Sequence, residues 1–325
     1  MLKLNRFALA ATLGVASVVS PLSSASAAEF PARPITLVVP WNAGGSVDLT
    51  GRKLSDILGK SGVKVVVENV AGASSTIGLS KVAQAAADGY TVGLATSSLM
   101  GVIAQDMTKL RVDDFAALNQ TTVEQLILVV PTASPANSIE EFTKLMKEKP
   151  DGVSIGTPGS NNVNHTFAAM LSKALNVEYT NVPYTGGAKV LIDLAGSQID
   201  AAVLKPSETI GQIKAGLIKP IGVFSKSRVD ILPDVATFDE KNIDVFPYGA
   251  LEQMSYLVAP KGIPGDVAQK LQDLFGKAIA SDAYKEFAQQ YGMKVSNLRG
   301  DALQKEAVEI QNTFNTVAPQ IFTKQ

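Results

Sequence analysis

The chain has 325 residues, 29 Lys and Arg against 30 Asp and Glu, a single histidine and no cysteine. That composition excludes disulfides, thiol chemistry and a cysteine-borne lipid anchor. A zinc site of the usual His/Cys make-up cannot be built either. A formal net charge of -1 with both signs interspersed offers no field for nucleic acid.

The first residues read as a targeting segment. Lys3 and Arg6 form a basic start, and residues 8–19 are an apolar run too short for a membrane span, which needs roughly 20 residues. Ser20-Pro21 breaks the run, and Ala25-Ser26-Ala27 is a small-residue cleavage pattern. The expectation is a cleaved signal peptide over 1–27, a mature chain starting at Ala28 or Glu29, and export to a bacterial periplasm. Nothing downstream is long and apolar enough to span a bilayer. The remaining length suits about two domains.

From there, short β-branched runs alternate with helical periods. Strands are expected at 35–39, 63–67 and 91–95, with a helix between the first two whose apolar face carries Leu54, Ile57 and Leu58. This is the rhythm of an open parallel sheet. A second set follows, with strands at 126–130, 153–156, 181–183, 199–204 and 221–224. Helices are expected at 139–147, 164–175, 188–195 and 207–215. Residues 256–259 read as a last strand. Two helical stripes close the chain: Val267, Leu271, Leu274, Phe275, Ala278 and Ile279, then Leu303, Ala307, Ile310, Phe314 and Val317. Asn164 and Asp301 are expected N-caps. No linker composition separates the two sets, which points to one domain inserted in the other, with a ligand between them beyond the strand ends.

Three strand-to-helix loops are candidates for binding. Trp41, Asn42, Ala43, Gly44 and Gly45 lead to Ser46-Val47-Asp48. The glycines permit close backbone approach, and the helix N-terminus beyond them is an anion seat. The spacing is neither a Walker loop nor a dinucleotide fingerprint. A tight βα turn is the plain alternative. Thr157, Gly159, Ser160 and Asn161, followed by His165, repeat the design in the second half. Tyr184, Thr185 and Gly186 form the third loop. Lys205 ends another strand and is a candidate counter-charge, or else a solvated lysine; Ser97 and Ser98 are strand-end hydroxyls. For Asp48, stabilising its own helix start comes first and ligand contact second. His165 would have to serve any Ser-His site with Ser160, but no third orienting residue stands at a readable spacing. No acidic pair suits glycoside hydrolysis and no Asp-rich loop suits calcium.

Several short segments, in order, carry a family resemblance. They are Phe30-Pro31-Ala32-Arg33-Pro34-Ile35, the 40–48 loop, Val67-Glu68-Asn69-Val70-Ala71-Gly72-Ala73, and Ala87-Asp88-Gly89-Tyr90-Thr91. Gly156-Thr157-Pro158-Gly159, His165, Val182-Pro183-Tyr184-Thr185-Gly186-Gly187 and Asp193-Leu194-Ala195-Gly196 follow. Arg228 with Leu232-Pro233-Asp234-Val235, and Ala259-Pro260-Lys261-Gly262-Ile263-Pro264, complete the set. Together they resemble the substrate-binding receptors of tripartite tricarboxylate transporters, the TctC or Bug family. The resemblance implies a type II flytrap of two α/β lobes joined by crossover strands. Lobe 1 would be 28–124 plus 250–325, and lobe 2 would be 125–249. It implies a periplasmic monomer without cofactor or metal that binds a small organic acid: a di- or tricarboxylate, an acidic amino acid or an aromatic carboxylate. The partner would be a membrane permease or a signalling receptor, and no turnover is expected. Trp41 stands where the family often has Phe, and Ser160-Asn161-Asn162 and Ala73-Ser74-Ser75 are poorer in glycine than usual.

Overall fold

The computed structural model describes residues 30–149, 152–249 and 251–322. The expected signal peptide lies outside the described residues. The chain folds around two sheets. In the first half, β1 (Ile35–Val39), α1 (Ser46–Lys60), β2 (Val65–Asn69), α2 (Thr76–Ala83), β3 (Thr91–Thr96), α3 (Ser98–Ile103) and β4 (Phe115–Glu124) follow one another. The second sheet begins one residue later. It comprises β5 (Leu126–Pro131), α4 (Ile139–Glu148), β6 (Val153–Thr157), α5 (Val163–Leu175) and β7 (Tyr179–Pro183). It continues with α6 (Gly187–Ala195), β8 (Ala201–Leu204), α7 (Pro206–Lys214) and β9 (Ile218–Phe224). The chain then returns through β10 (Gln253–Pro260), α8 (Gly265–Ala280), α9 (Asp282–Gln290), β11 (Lys294–Val295) and α10 (Gly300–Ile321).

The six-stranded sheet has the order β11-β4-β10-β3-β1-β2, and the five-stranded sheet β7-β6-β8-β5-β9. Neither is purely parallel, which corrects the expectation of an open parallel sheet. β1 runs parallel to β2 and β3, but β10 inserts antiparallel between β3 and β4. Likewise β6 is parallel to β7 and β8, while β5 is antiparallel to β8 and β9. The reason is the crossing itself. β4 leaves the first sheet and, after Gln125 alone, becomes β5 of the second, so each sheet receives a strand that entered from the other side. β4 escaped the periodicity because its second half is polar. Asn119, Gln120, Thr121, Thr122 and Glu124 are all buried there, with Gln120, Thr122 and Glu124 paired with β10.

Most other expected elements stand within two residues of their positions. The second strand begins at Val65, not Val63, because Gly62 takes positive φ and Val63 N–H closes the end of α1 on Leu58. The N-cap of α5 is Asn162, whose side chain accepts from His165 N at 3.0 Å. Asn164 lies inside the helix and donates to Val203 O at 2.9 Å. α10 starts at Gly300 with Arg299 in the cap position, so Asp301 stands in the first turn, where the helix dipole still favours it.

The sheet cores are aliphatic and largely dry. Leu37, Leu54, Leu94, Leu257 and Phe275 fill the space under α1 and α8. A larger apolar cluster continues from β3 through α3 and α10 into α5 and the inner face of the second sheet, where Phe224 packs against Phe167 and Phe238 at ring-centroid distances of 5.2 and 4.6 Å. Phe224 is fully buried. Phe224→Ala is expected to lower unfolding stability by about 3–5 kcal/mol through lost burial and a residual cavity. Urea denaturation followed by circular dichroism measures this, and a loss below about 1 kcal/mol would mean the cluster collapses onto the gap.

Candidate functional site

The two sheets face each other with their strand-end loops in contact. Asn42 Nδ2 donates to Thr185 Oγ1 at 2.9 Å, Ser74 Oγ to Ser160 O at 2.7 Å, and Gln105 Nε2 to Asn161 O at 3.0 Å. Lys205 Nζ, from the second sheet, donates to Ser46 Oγ at the start of α1. Between these contacts lie two cavities that share Trp41 and Pro158 as walls.

The first cavity has a volume of about 230 Å³. Its lobe-1 wall is Trp41, Asn42, Ala43, Gly45, Ser46 and Val47, with Ser98 and Gln253 at its back; Gly186, Gly187, Lys205 and Glu208 come from the other side. The loop before α1 is shaped by Asp48. Its buried carboxylate accepts from Gly44 N and Arg52 Nε at 2.9 Å each on Oδ2, and from Asn69 Nδ2 at 2.9 Å on Oδ1. Burial works to raise its pKa, but the bonds from Arg52, Gly44 and Asn69 outweigh it and hold the carboxyl below its ordinary value. Asp48 is therefore committed to its own lobe and lines neither cavity. Asn69 also donates to Trp41 O at 3.1 Å, which fixes the tryptophan at the cleft. No side chain caps α1 at Gly45, and the first residues of the helix, Ser46 and Val47, line the cavity.

Lys205 is only 4 % exposed, so the solvated-lysine alternative falls. Its Nζ lies 3.7 Å from Glu124 Oε1. Glu124 ends β4 at the crossing, and burial pushes its carboxyl pKa up while the Lys205 charge opposes that.

The second cavity, about 310 Å³, is lined by Gly72, Ala73, Ser74, Met107, Gly159, Ser160, Tyr184 and Thr185, among others. Gly159 is there for close approach: a Cβ on it would lie 2.6 Å from Ser74 Oγ across the cleft. Tyr184 OH donates to Asp193 Oδ2 at 2.8 Å; burial, then that bond and the Asp193 charge, push its pKa up to about 12.

Other expected residues stand back from both cavities. Ser97 is fully buried; its Oγ donates to Glu252 O at 2.8 Å and accepts from Met254 N at 3.0 Å, tying β3 to the start of β10. Its neighbour Ser98 reaches the cavity instead. Thr157 Oγ1 lies 2.8 Å from Gly159 O and 2.9 Å from Asn181 Oδ1, so it shapes the loop from within. Gly44 opens onto an outer groove between α1 and α7. Asn161 takes positive φ and turns its side chain to Met107. His165 Nδ1 accepts from Asn161 N at 3.0 Å, and its ring packs against Phe322 at 4.7 Å. That geometry does not pair it with Ser160.

Sequence reasoning missed Gln253, Glu208 and Asn164. Glu208 carried a usable signal: Pro206 at the helix start with an acid two residues on marks a first turn beside a strand end.

Two α/β lobes, each contributing strand-end loops to a closed cleft, define a flytrap-type binding protein. The comparisons place it further. The model of the tripartite tricarboxylate transporter family receptor matches residues 51–321. The UPF0065 protein in the tcbD-tcbE intergenic region of Pseudomonas sp. strain P51 is 30% identical over 275 residues, 82% of this chain and 80% of the relative. The solved structure of the periplasmic binding protein BugD superposes with a TM-score of 0.84 at 29% identity, covering 90% of this chain and 98% of that one. The MatC protein of Rhodopseudomonas palustris, solved with bound malate, shares the fold with a TM-score of 0.82 at 24% identity, over 89% and 99% of the two chains. The chain belongs to the tripartite tricarboxylate transporter family receptors.

Burial lowers the His165 pKa to about 4. Between the ordinary value of 6.5 and that point the unfolded chain binds a proton that the folded chain refuses, so stability falls as pH falls across this window. The share owed to His165 is up to about 3 kcal/mol. Urea unfolding between pH 7.5 and 4.5 is expected to show a shallower pH dependence for His165→Gln than for the wild type; equal slopes would mean the ring is hydrated.

Proposed function

We propose that this protein is a periplasmic receptor that takes one small carboxylate between its lobes and hands it, chemically unchanged, to a tripartite permease. The observation carrying the reading is the start of α1. A helix N-terminus without a side-chain cap opens into a cavity walled by both halves of the chain, and such a terminus favours an anion. The carboxylate accepts from the N–H groups of Ser46 and Val47, while Trp41 covers the apolar part of the ligand. Among the described residues the indole N–H of Trp41 is buried and has no hydrogen-bond partner. The malate held by MatC is a carboxylate on the same fold.

Closure follows from the connections. The lobes, 28–124 with 250–325 and 125–249, are joined at Gln125 and through the return to β10. Bending at these points opens the cleft, and a ligand that contacts both walls favours the closed form by its differential affinity. Release without turnover is supported by His165, whose acceptor nitrogen is taken by a backbone N–H.

A thermal-shift screen against mono-, di- and tricarboxylates and amino acids tests the reading. A ligand of the folded state alone, at 100 times its Kd, adds about 2.7 kcal/mol of stability. A hit recovered intact by mass spectrometry supports the receptor; a hit that is consumed, or no shift from any acid, contradicts it. Gly159→Ala, which sets a methyl against Ser74, is expected to weaken that ligand by about tenfold or more, because closure is obstructed. Unchanged affinity would remove this loop from the closing surface.

A further inference from the structure

The chain has no cysteine, so methionines hold all of its sulfur. Met100, Met146, Met170, Met254 and Met293 are buried. Met107 alone among the described methionines is exposed, at 58 %. It is also fixed where the two halves of the chain meet. Asp106 takes positive φ just beyond α3, and Met107 N–H donates to Val102 O at 3.1 Å, which closes the turn. The thioether lines the second cavity, and its sulfur accepts from Asn161 Nδ2, in the loop between β6 and α5, at 2.7 Å. The same asparagine is held at its backbone. Its carbonyl accepts from Gln105 Nε2 at 3.0 Å and lies 2.8 Å from where a Cβ on Gly101 would stand. Thus α3 and the turn after it grip one residue of the opposite loop, and the Met107 sulfur is one of the grips.

We propose that Met107 is a site of reversible oxidation by hydrogen peroxide, and that its sulfoxide releases the β6–α5 loop from α3. The sulfur lone pair attacks one peroxide oxygen. The O–O bond breaks, an S–O bond forms, the thioether gives up two electrons, and the second oxygen leaves as water. Oxygen added on the side of Asn161 displaces the amide from the sulfur. Oxygen added on the solvent side leaves the sulfur positively polarised and a poor acceptor, so the bond from Asn161 Nδ2 is lost either way. The side chain also changes from apolar to polar, which favours water over the cavity wall. The buried methionines are shielded, so the change falls on the contact between the two halves and not on a core. This release belongs to the free protein and holds whatever ligand the cleft takes.

The test treats the folded protein with hydrogen peroxide and locates the added oxygen by peptide mass spectrometry. Met107 is expected to react about tenfold faster or more than each of the five buried methionines, which oxidant reaches only through opening of the fold. Hydrogen exchange of the oxidised protein is then compared with that of the untreated one. The amides of residues 159–165 should exchange about fivefold faster, the weight of one hydrogen bond in the opening equilibrium, while those of β5 and β8 keep their rates. Met107→Leu, which keeps the volume and removes the sulfur, should show no acceleration after the same treatment. Incubating the oxidised wild type with the two methionine sulfoxide reductases, one for each epimer, and dithiothreitol should restore the slow exchange. Equal oxidation of all the methionines would overturn the proposal, as would oxidation at Met107 with unaltered exchange over 159–165. An equal acceleration in Met107→Leu would trace the effect to another residue and overturn it too. A change that neither reductase reverses would make the oxidation damage and not a reversible site.

Discussion

The site depends on where Asp48 spends its carboxylate. An acid in the first turn of a helix commonly satisfies that helix's own free N–H groups. Here it turns back to Gly44 N, across to Arg52 and over to Asn69 at the end of β2. The loop is thereby held from below, Trp41 is anchored through Asn69, and α1 starts beside the cleft with no side-chain cap. The loop after β1, helix α1 and strand β2 are thus tied at one carboxylate.

The second constraint lies at the crossing. β4 and β10 lie side by side where the chain passes between the sheets, with Glu124 opposite Gln253. Lys205 arrives from the second sheet between Glu124 and Ser46. A buried pair of this kind adds little net stability, since desolvation offsets most of its attraction, but losing one partner costs about 3–5 kcal/mol. Glu124 at the crossing, Lys205 from the second sheet and Ser46 at the start of α1 meet at one point between the sheets. That arrangement also brings Trp41 and Pro158 together as the shared wall of the two cavities.

Much of this was legible in the chain, and the gaps have physical causes. Dry cores read clearly because β-branched runs such as 35–39 and 126–130 have few other fates. The candidate loops are marked in the sequence by glycine and hydroxyl residues after strands. Asp48 reads from the sequence first as a stabiliser of its own helix start, and its carboxylate bonds Gly44, Arg52 and Asn69. β4 did not read as a strand because a strand at a crossing buries polar side chains, and pattern reasoning looks for apolar ones. Ser97 and Ser98 could not be told apart, since only the direction of successive side chains decides which ties β10 and which reaches the cavity. Lys205 reads from the sequence somewhat more as a solvated lysine than as a cleft residue, because its partner Glu124 is 81 positions away and no local signal links them.

The most direct test of the central claim uses the chain's single tryptophan, Trp41, which is 9 % exposed and forms a wall of both cavities. Its fluorescence should be titrated with a ligand whose binding calorimetry has established. Binding between the lobes predicts a saturable change in Trp41 emission with the same midpoint as the heat signal. Full calorimetric saturation with unaltered emission would place the ligand away from this wall and contradict the account.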